Sequence, residues 1–262
     1  MATDVRVSIR PWVAGLAVAL QGTLLTLEWT HRDVWAEAAS WVPVVSTTGV
    51  AAALSLCMSL GLVVGATTLR WRDLGFTPRQ LGVAGVVALA LWASNQMLQL
   101  IDVAWNGPAV PATRDVSGAF LSAYSEELLY RCIVIGGAAS ALATRGRLRH
   151  PMAAAAAIST LIFAASHIPH DVALGDVGHP ERYPQLLAYG GLMAVICLQS
   201  SNLMLVALIH MLGNEPILLV SGPHAIDITI LVNWVACGVV IARYTWRRPR
   251  PASRERASIR SA

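Results

Sequence analysis

The chain of 262 residues contains no lysine and little charge of either sign. Charged residues make up 13% of it, whereas a soluble globular domain carries about 25%. Hydrophobic residues make up 55%, and the mean hydropathy is +0.57. A composition this poor in charge excludes an ordinary soluble domain and predicts an all-α, polytopic integral membrane protein.

Several motifs of soluble or metal-dependent proteins are also missing. The four cysteines are scattered singly through apolar stretches without a CxxC pair, which argues against a zinc–thiolate site and a disulfide framework. The HExxH motif of many zinc proteases does not occur. No internal repeat is evident, which argues against a transporter built from inverted repeats.

The positive charge of the chain is carried by arginine alone. All 19 basic residues are arginines, and they cluster between the apolar runs, as the positive-inside rule predicts for a membrane protein. The net charge of +4 therefore does not indicate nucleic-acid binding. Heavy use of alanine, valine and arginine suggests a GC-rich bacterial genome.

Apolar runs of spanning length predict a bundle of about eight transmembrane helices in one domain, residues 1–246. The sixth and seventh are separated only by residues 199–202, so they could instead form one bent or partly re-entrant hairpin. The predicted helices lie near 11–28, 42–68, 81–101, 118–143, 151–168, 184–200, 202–220 and 224–245.

The arginines also predict the orientation. With eight spans and a cytoplasmic N-terminus, fifteen arginines lie in inner segments and three in outer segments. An odd number of spans would remove this bias. We therefore expect a protein of the bacterial plasma (inner) membrane with both termini in the cytoplasm. The basic stretch 247–262 is predicted to be a disordered cytoplasmic tail, with anionic lipid binding as the alternative.

The fourth predicted helix carries three ionisable residues within six positions, Glu126, Glu127 and Arg131. Each such group near the bilayer centre costs about 2.5–3.5 kcal/mol on insertion scales, so intramembrane charges mark functional sites. Glu127 and Arg131 are four residues apart with the acid first, the spacing of a favourable helical ion pair. Glu126 points to another face, which leaves it free to act as a general base.

Two further apolar segments supply polar partners. His210 and Asn214 are four residues apart, so they project from one face of the seventh helix and can donate to a developing oxyanion. Phe163 and His167 repeat the spacing on the fifth helix, where Phe163 would pack and His167 would reach the site. At 1.5 Å per residue, all three helices place these groups in the outer half of the membrane, where they can meet.

The motifs EExxxR, FxxxH and HxxxN, in this order on separate helices, resemble those of the CPBP intramembrane proteases. This family includes type II CAAX prenyl endopeptidases and bacteriocin-processing and immunity proteins. Two short segments, RDLGF at 72–76 and SNL at 201–203, look like further family motifs, and the resemblance covers about 70–220. It implies an eight-helix membrane bundle that hydrolyses a peptide bond of a membrane-associated or lipidated substrate.

The resemblance also implies the roles of the site residues. By the resemblance, Glu126 activates the attacking water with the help of His167. His210 and Asn214 stabilise the oxyanion. Glu127 and Arg131 support the site. One glutamate and two histidines match the ligand set of hydrolytic zinc enzymes, so Glu126, His167 and His210 are alternative zinc ligands. A metal-free glutamate mechanism is the other family view, and the lack of HExxH favours it.

Two other functions stay open from the residues alone. A non-catalytic membrane scaffold or immunity-type protein could use the same polar core to bind a partner. A proton-coupled carrier could use the acids and histidines as a relay, although the lack of repeats argues against it. The predicted site lies nearer the outer face, whereas eukaryotic prenyl-protein processing acts on cytosolic substrates. Either a cavity opens inward past the fourth helix, or the chain cuts a different substrate. The lack of obvious prenylated CAAX proteins in most bacteria favours the second.

Overall fold

The computed structural model describes residues 9–30, 37, 47–66, 72–109, 116–144, 148, 150–174, 182–215 and 217–246. Over these residues the regular structure is helical and no strand occurs, which confirms the predicted all-α class. The predicted basic tail lies outside the described residues. The helices of the described part are α1 Pro11–Thr30, α2 Thr47–Ala66, α3 Pro78–Asn106, α4 Val116–Thr144, α5 Pro151–Leu174, α6 Arg182–Ser200, α7 Leu203–Asn214 and α8 Ala225–Trp246.

Four of these helices are long and apolar enough to cross a membrane: α3, α4, α8 and the Pro151–Ile168 part of α5. Shorter apolar stretches occur in α1, α2 and α7. The chain is therefore an integral membrane bundle, and the number of eight spans stays a prediction.

Helix α7 is shorter than the predicted range 202–220. It has 12 residues, so it extends about 18 Å and does not reach across a hydrocarbon core of about 30 Å. It ends because Glu215 precedes Pro216, and the residue before a proline avoids the helical conformation. The chain then runs without regular structure from Ile217 to the start of α8.

Helix α4 lies at the centre of the bundle, packed against α2 on one side and α7 on the other. It contains a π-helical turn, Leu128–Val134, between α-helical parts Val116–Glu127 and Ile135–Thr144. Such wide turns are rare and often lie at functional sites. Here the turn begins directly after Glu127 and contains Arg131, so it coincides with the ionisable residues of the sequence motif.

A sharp turn at Ser201 and Asn202 separates α6 from α7. Ser201 has a φ of 50°, and Asn202 caps α7 by accepting a hydrogen bond from the Leu205 amide at 3.2 Å. The Asn202 amide donates to the Gln80 carbonyl at 2.9 Å. The Gln80 side chain in turn donates to the carbonyls of Ser201 and Arg72, each at 2.7 Å.

These bonds bring together the two short segments RDLGF and SNL of the family resemblance. Gly75 has a φ of 86°, and a Cβ atom on it would lie 2.6 Å from the backbone nitrogen of Met204. Glycine is therefore required both by the backbone conformation and by the close approach. The two segments have a structural role, because they join the start of α3 to the start of α7.

A stripe of polar side chains on α3 binds the irregular segment 217–225. We call Asn95, Gln96, Gln99 and Asp102, which are all buried, the anchor network. The backbone of Ile217, Leu219, Gly222, His224 and Ala225 is hydrogen-bonded by the side chains of Gln96, Gln99, Asp102 and their neighbour Trp92. Asn95 accepts from Gln99 and donates to the Thr229 hydroxyl.

The anchor network explains how this segment leaves the helical conformation inside a membrane protein. Backbone groups without water or helical partners cost several kcal/mol each in lipid, so they need protein partners. Gln99 alone satisfies two of them, accepting from the Gly222 amide at 3.1 Å and donating to the Ala225 carbonyl at 3.2 Å. This stripe was not predicted from the sequence, although its polar residues recur at helical spacing within an apolar helix.

Candidate active site

Glu127 is fully buried between two basic side chains. Its Oε2 accepts a hydrogen bond from Nε of Arg131 at 2.9 Å, so the structure contains the ion pair that the spacing predicts. Its Oε1 lies 2.8 Å from Nδ1 of His210 on α7. A carboxylate can only accept, so Nδ1–H of His210 donates and Nε2 faces the other way. Glu127 therefore fixes the orientation of the His210 ring.

The charge of Arg131 is stabilised within the bundle by more than Glu127. Its Nη1 donates to the Ser159 hydroxyl at 3.4 Å, and its guanidinium carbon lies 5.1 Å from the centre of the Phe163 ring. Cations at this distance over an aromatic face are attracted by the ring. Ser159 donates in turn to the carbonyl of Tyr130 at 2.6 Å, which ties α5 to the π-helical turn.

Glu126 has a different environment from its neighbour Glu127. Its side chain is 21% exposed, and its Oε1 accepts from the Ser122 hydroxyl at 3.1 Å. Its Oε2 is buried, lies 3.9 Å from Nε2 of His210, and has no hydrogen-bond partner among the described residues. Since 3.9 Å exceeds hydrogen-bond length, this oxygen keeps its full capacity to accept a proton.

His167 presents one free nitrogen. Its Nδ1 lies 2.9 Å from the carbonyl oxygen of Phe163, one helical turn earlier. A carbonyl can only accept, so Nδ1 carries the hydrogen of the neutral ring and Nε2 carries the lone pair. The spacing of FxxxH thus fixes the His167 tautomer, and the Phe163 ring contacts His167 with centres 4.7 Å apart.

The imidazole of His210 is held between aromatic rings. Phe163 meets it edge-on at 6.1 Å between ring centres, and Tyr189 of α6 meets it at 5.6 Å. Asn233 of α8 donates to the Tyr189 hydroxyl at 3.4 Å and to the Ile209 carbonyl at 3.1 Å. Helices α6 and α8 thereby support a ring that the motif places on α7.

Two predicted site residues make no hydrogen bond or ring contact with Glu126, Glu127, Arg131 or His210 in the described part of the chain: His167, whose contacts are with Phe163, and Asn214. Asn214 is the last residue of α7, one turn beyond His210, and its side chain is exposed. Its side chain makes no hydrogen bond with the described residues.

Four site residues were not predicted from the sequence: Ser122, Ser159, Tyr189 and Asn233. Ser122 could have been found, because it lies four residues before Glu126 on the same helix. The other three come from separate helices. Ser159 lies four residues before Phe163 and could have been found in the same way, whereas no spacing connects Tyr189 and Asn233 to the motifs. Their roles follow only from how the helices pack.

The alternative zinc ligands were Glu126, His167 and His210. Within the described part of the chain, no three histidine, cysteine, aspartate or glutamate side chains are grouped as a metal site. The side chains as placed do not fit a zinc ion, and no chemical step below involves one.

Fold and site together define the class: a helical integral membrane protein with acids, histidines and an arginine at its centre. Residues 111–215 match the family model described as Rce1-like, type II CAAX prenyl endopeptidase. The match confirms the resemblance inferred from the three motifs and places this segment in a protease family. It covers α4 to α7 and all six predicted site residues. Comparison with curated proteins and with solved structures gives no match.

Proposed function

We propose that the chain is an intramembrane endopeptidase that hydrolyses a peptide bond of a membrane-associated or lipidated substrate. The observation that carries the proposal is the Glu126 carboxylate. Ser122 holds one of its oxygens, while the other is buried, unpaired and directed toward His210. A buried acceptor without a partner is costly, so its retention favours a role in chemistry.

In the proposed reaction Glu126 is the general base. Its Oε2 takes a proton from a water molecule whose oxygen attacks the carbonyl carbon of the scissile peptide bond. Nε2 of His167 accepts the second hydrogen of this water and orients it, since Nδ1 is occupied by the Phe163 carbonyl. When the tetrahedral intermediate collapses, the carbon–nitrogen bond breaks and the proton on Glu126 passes to the leaving amine.

His210 and Asn214 are the proposed donors to the oxyanion. Glu127 accepts from Nδ1 of His210, so a His210 ring protonated on both nitrogens donates from Nε2 to the substrate oxygen. Asn214, at the exposed end of α7, is placed to meet an incoming substrate rather than the buried groups. Glu127 and Arg131 act as positioning residues, because they hold the His210 ring.

The extent of the membrane domain and its orientation in the membrane are part of the same proposal. We infer one membrane domain over residues 1–246, in the plasma membrane, with both termini in the cytoplasm. The arginine distribution supports this orientation. The basic stretch 247–262 then lies beside the inner leaflet.

The test compares protein termini in membranes of cells that express the wild type, Glu126→Gln, or Glu37→Gln at equal abundance. The substitution Glu126→Gln keeps the size of the side chain and the acceptor for Ser122, but the new amide cannot take a proton. We expect new substrate termini with the wild type and with the exposed control Glu37→Gln, and a loss of at least about 100-fold with Glu126→Gln.

Identical termini in all three samples would contradict the protease proposal. They would instead favour the alternative, a membrane scaffold or immunity-type protein that uses the polar core for partner binding. Co-purification of the same partner with wild type and Glu126→Gln would then identify that function.

A further inference from the structure

A groove of about 370 Å³ lies between α3, α7 and α8, and none of its lining residues belongs to the candidate active site. Its walls include Val83 and Val86 of α3, Leu205 of α7 and Val240 of α8. The groove is therefore suited to a hydrocarbon chain. It goes beyond the proposed protease chemistry, which does not use it.

Two arginines stand at one rim of this groove. Arg79 is the second residue of α3, and Arg243 lies in the last turn of α8. Val83 and Val86 lie one and two turns deeper along α3. Both arginines are exposed, neither forms an ion pair with a described residue, and no acidic side chain lines the groove. The rim thus carries two positive charges above an apolar floor.

We propose that this groove binds an anionic phospholipid, with its phosphate between Arg79 and Arg243 and an acyl chain along the valines. Arginine binds phosphate with paired donors, and basic pockets between membrane helices select anionic head groups. The positive-inside rule accounts for arginines at this side of the membrane. The rule does not explain why two arginines line the rim of the same apolar groove.

The sequence that follows α8 is also rich in positive charge. Six more arginines follow within the sixteen residues after Trp246. An anionic lipid in the groove would join the start of α3 to the end of α8. The anchor network already joins the end of α3 to the start of α8. We therefore expect lipid binding to stabilise the bundle against heat.

The experiment uses the full-length protein, purified in detergent with phosphatidylcholine and titrated with phosphatidylglycerol. Retained lipid is counted by native mass spectrometry, and the unfolding midpoint is recorded in parallel. The test variants are Arg79→Gln, Arg243→Gln and Val83→Trp, which fills the groove but keeps both charges. The controls are Arg10→Gln and Val64→Trp, an exposed arginine on the same predicted side and an exposed valine on α2.

We expect one phosphatidylglycerol to be retained by the wild type and both controls, with a rise in the unfolding midpoint. Each arginine variant should bind about fivefold more weakly. Val83→Trp should lose the lipid although its charge is unchanged, which separates a groove from general surface attraction.

Three outcomes would overturn the proposal. Equal weakening by Arg10→Gln would show non-specific attraction to the surface, and full binding by Val83→Trp would show that the groove is not used. Stabilisation by inorganic phosphate equal to that by the lipid would show an anion site without an acyl chain. Folding of each variant is checked by its elution profile and helix content, and Val83→Trp tests the groove even if an arginine variant fails to fold.

Discussion

Two buried polar networks lie in this bundle, and they differ in how fully their atoms are used. In the anchor network every side-chain oxygen and nitrogen has a hydrogen-bond partner, and most of those partners are backbone groups. In the acid–histidine cluster, Glu126, Glu127, Arg131 and His210, two buried atoms have none: Oε2 of Glu126 and Nη2 of Arg131.

The difference shows that buried polar residues in this membrane bundle have at least two roles. On α3 the side chains of Gln96, Gln99 and Asp102 satisfy backbone groups that have left the helix, so that network is explained by folding alone. The acid–histidine cluster holds ionisable groups at a cost and leaves acceptor capacity unused. Incomplete satisfaction, rather than polarity as such, distinguishes the candidate active site.

The largest expected effect comes from Glu127→Ala in the acid–histidine cluster. It removes the partner of both Arg131 and His210 and leaves a buried charge unpaired, which costs about 3–5 kcal/mol. We expect lower protein yield, a lower unfolding midpoint and no activity. Yield and unfolding are measured in detergent, and activity is measured by appearance of the wild-type termini.

A double variant sharpens this result. Replacing both Glu127 and Arg131 by methionine removes the two charges together, which is often close to neutral for stability. We expect yield to recover while activity stays absent, because His210 has lost the acceptor for Nδ1. Normal yield for Glu127→Ala alone would contradict the buried ion pair.

A smaller loss of stability is expected from Gln99→Leu in the anchor network. It leaves the Gly222 amide without its partner, at about 1–3 kcal/mol for a buried group, whereas the Ala225 carbonyl keeps the Thr229 hydroxyl. Thermal unfolding should show the loss, and Glu126→Gln should show almost none. If instead Gln99→Leu left stability unchanged and Glu126→Gln lowered it, the two networks would have exchanged roles.

The smallest expected effect is a pH dependence at the end of the anchor network. The hydrogen bond from Nδ1 of His224 to Asp102, at 3.0 Å, raises the pKa of His224 above its usual value of about 6.5. The stability from this bond is therefore complete below about pH 6.5 and is lost as pH rises through the raised pKa. His224 is more than half exposed, so the change is small.

The measurement is the unfolding midpoint between pH 5 and 9, with His224→Asn as the comparison. We expect the wild-type midpoint to fall with rising pH by a small margin that His224→Asn lacks. A decline of equal size in both proteins would assign the pH dependence to other groups.

Spacing along the chain predicted what lies within one helix. The i,i+4 rule gave the Glu127–Arg131 pair, and apolar runs gave the helices to within a few residues over most of the described chain. The same rule could have given Ser122 beside Glu126. These features depend only on helical geometry, which is determined locally along the chain.

Features that depend on contacts between helices could not be predicted in this way. Tyr189 and Asn233 support His210 from α6 and α8, and nothing in their spacing points to α7. The length of α7 was also predicted wrongly, because the helix ends at Asn214. The sequence contained Pro216 as a signal for that end, and the helix was nevertheless expected to reach residue 220.

The π-helical turn of α4 has a consequence for sequence alignment. A π turn holds about one residue more than an α turn, so deleting one residue from Leu128–Val134 would restore an α-helix. It would also rotate Ile135–Thr144 by about 100° relative to Glu127 and move its buried face away from α5. A one-residue gap in an alignment of this helix therefore indicates a rotation of its C-terminal part, not a variable loop. Homologues that differ there should be compared separately on each side of the gap.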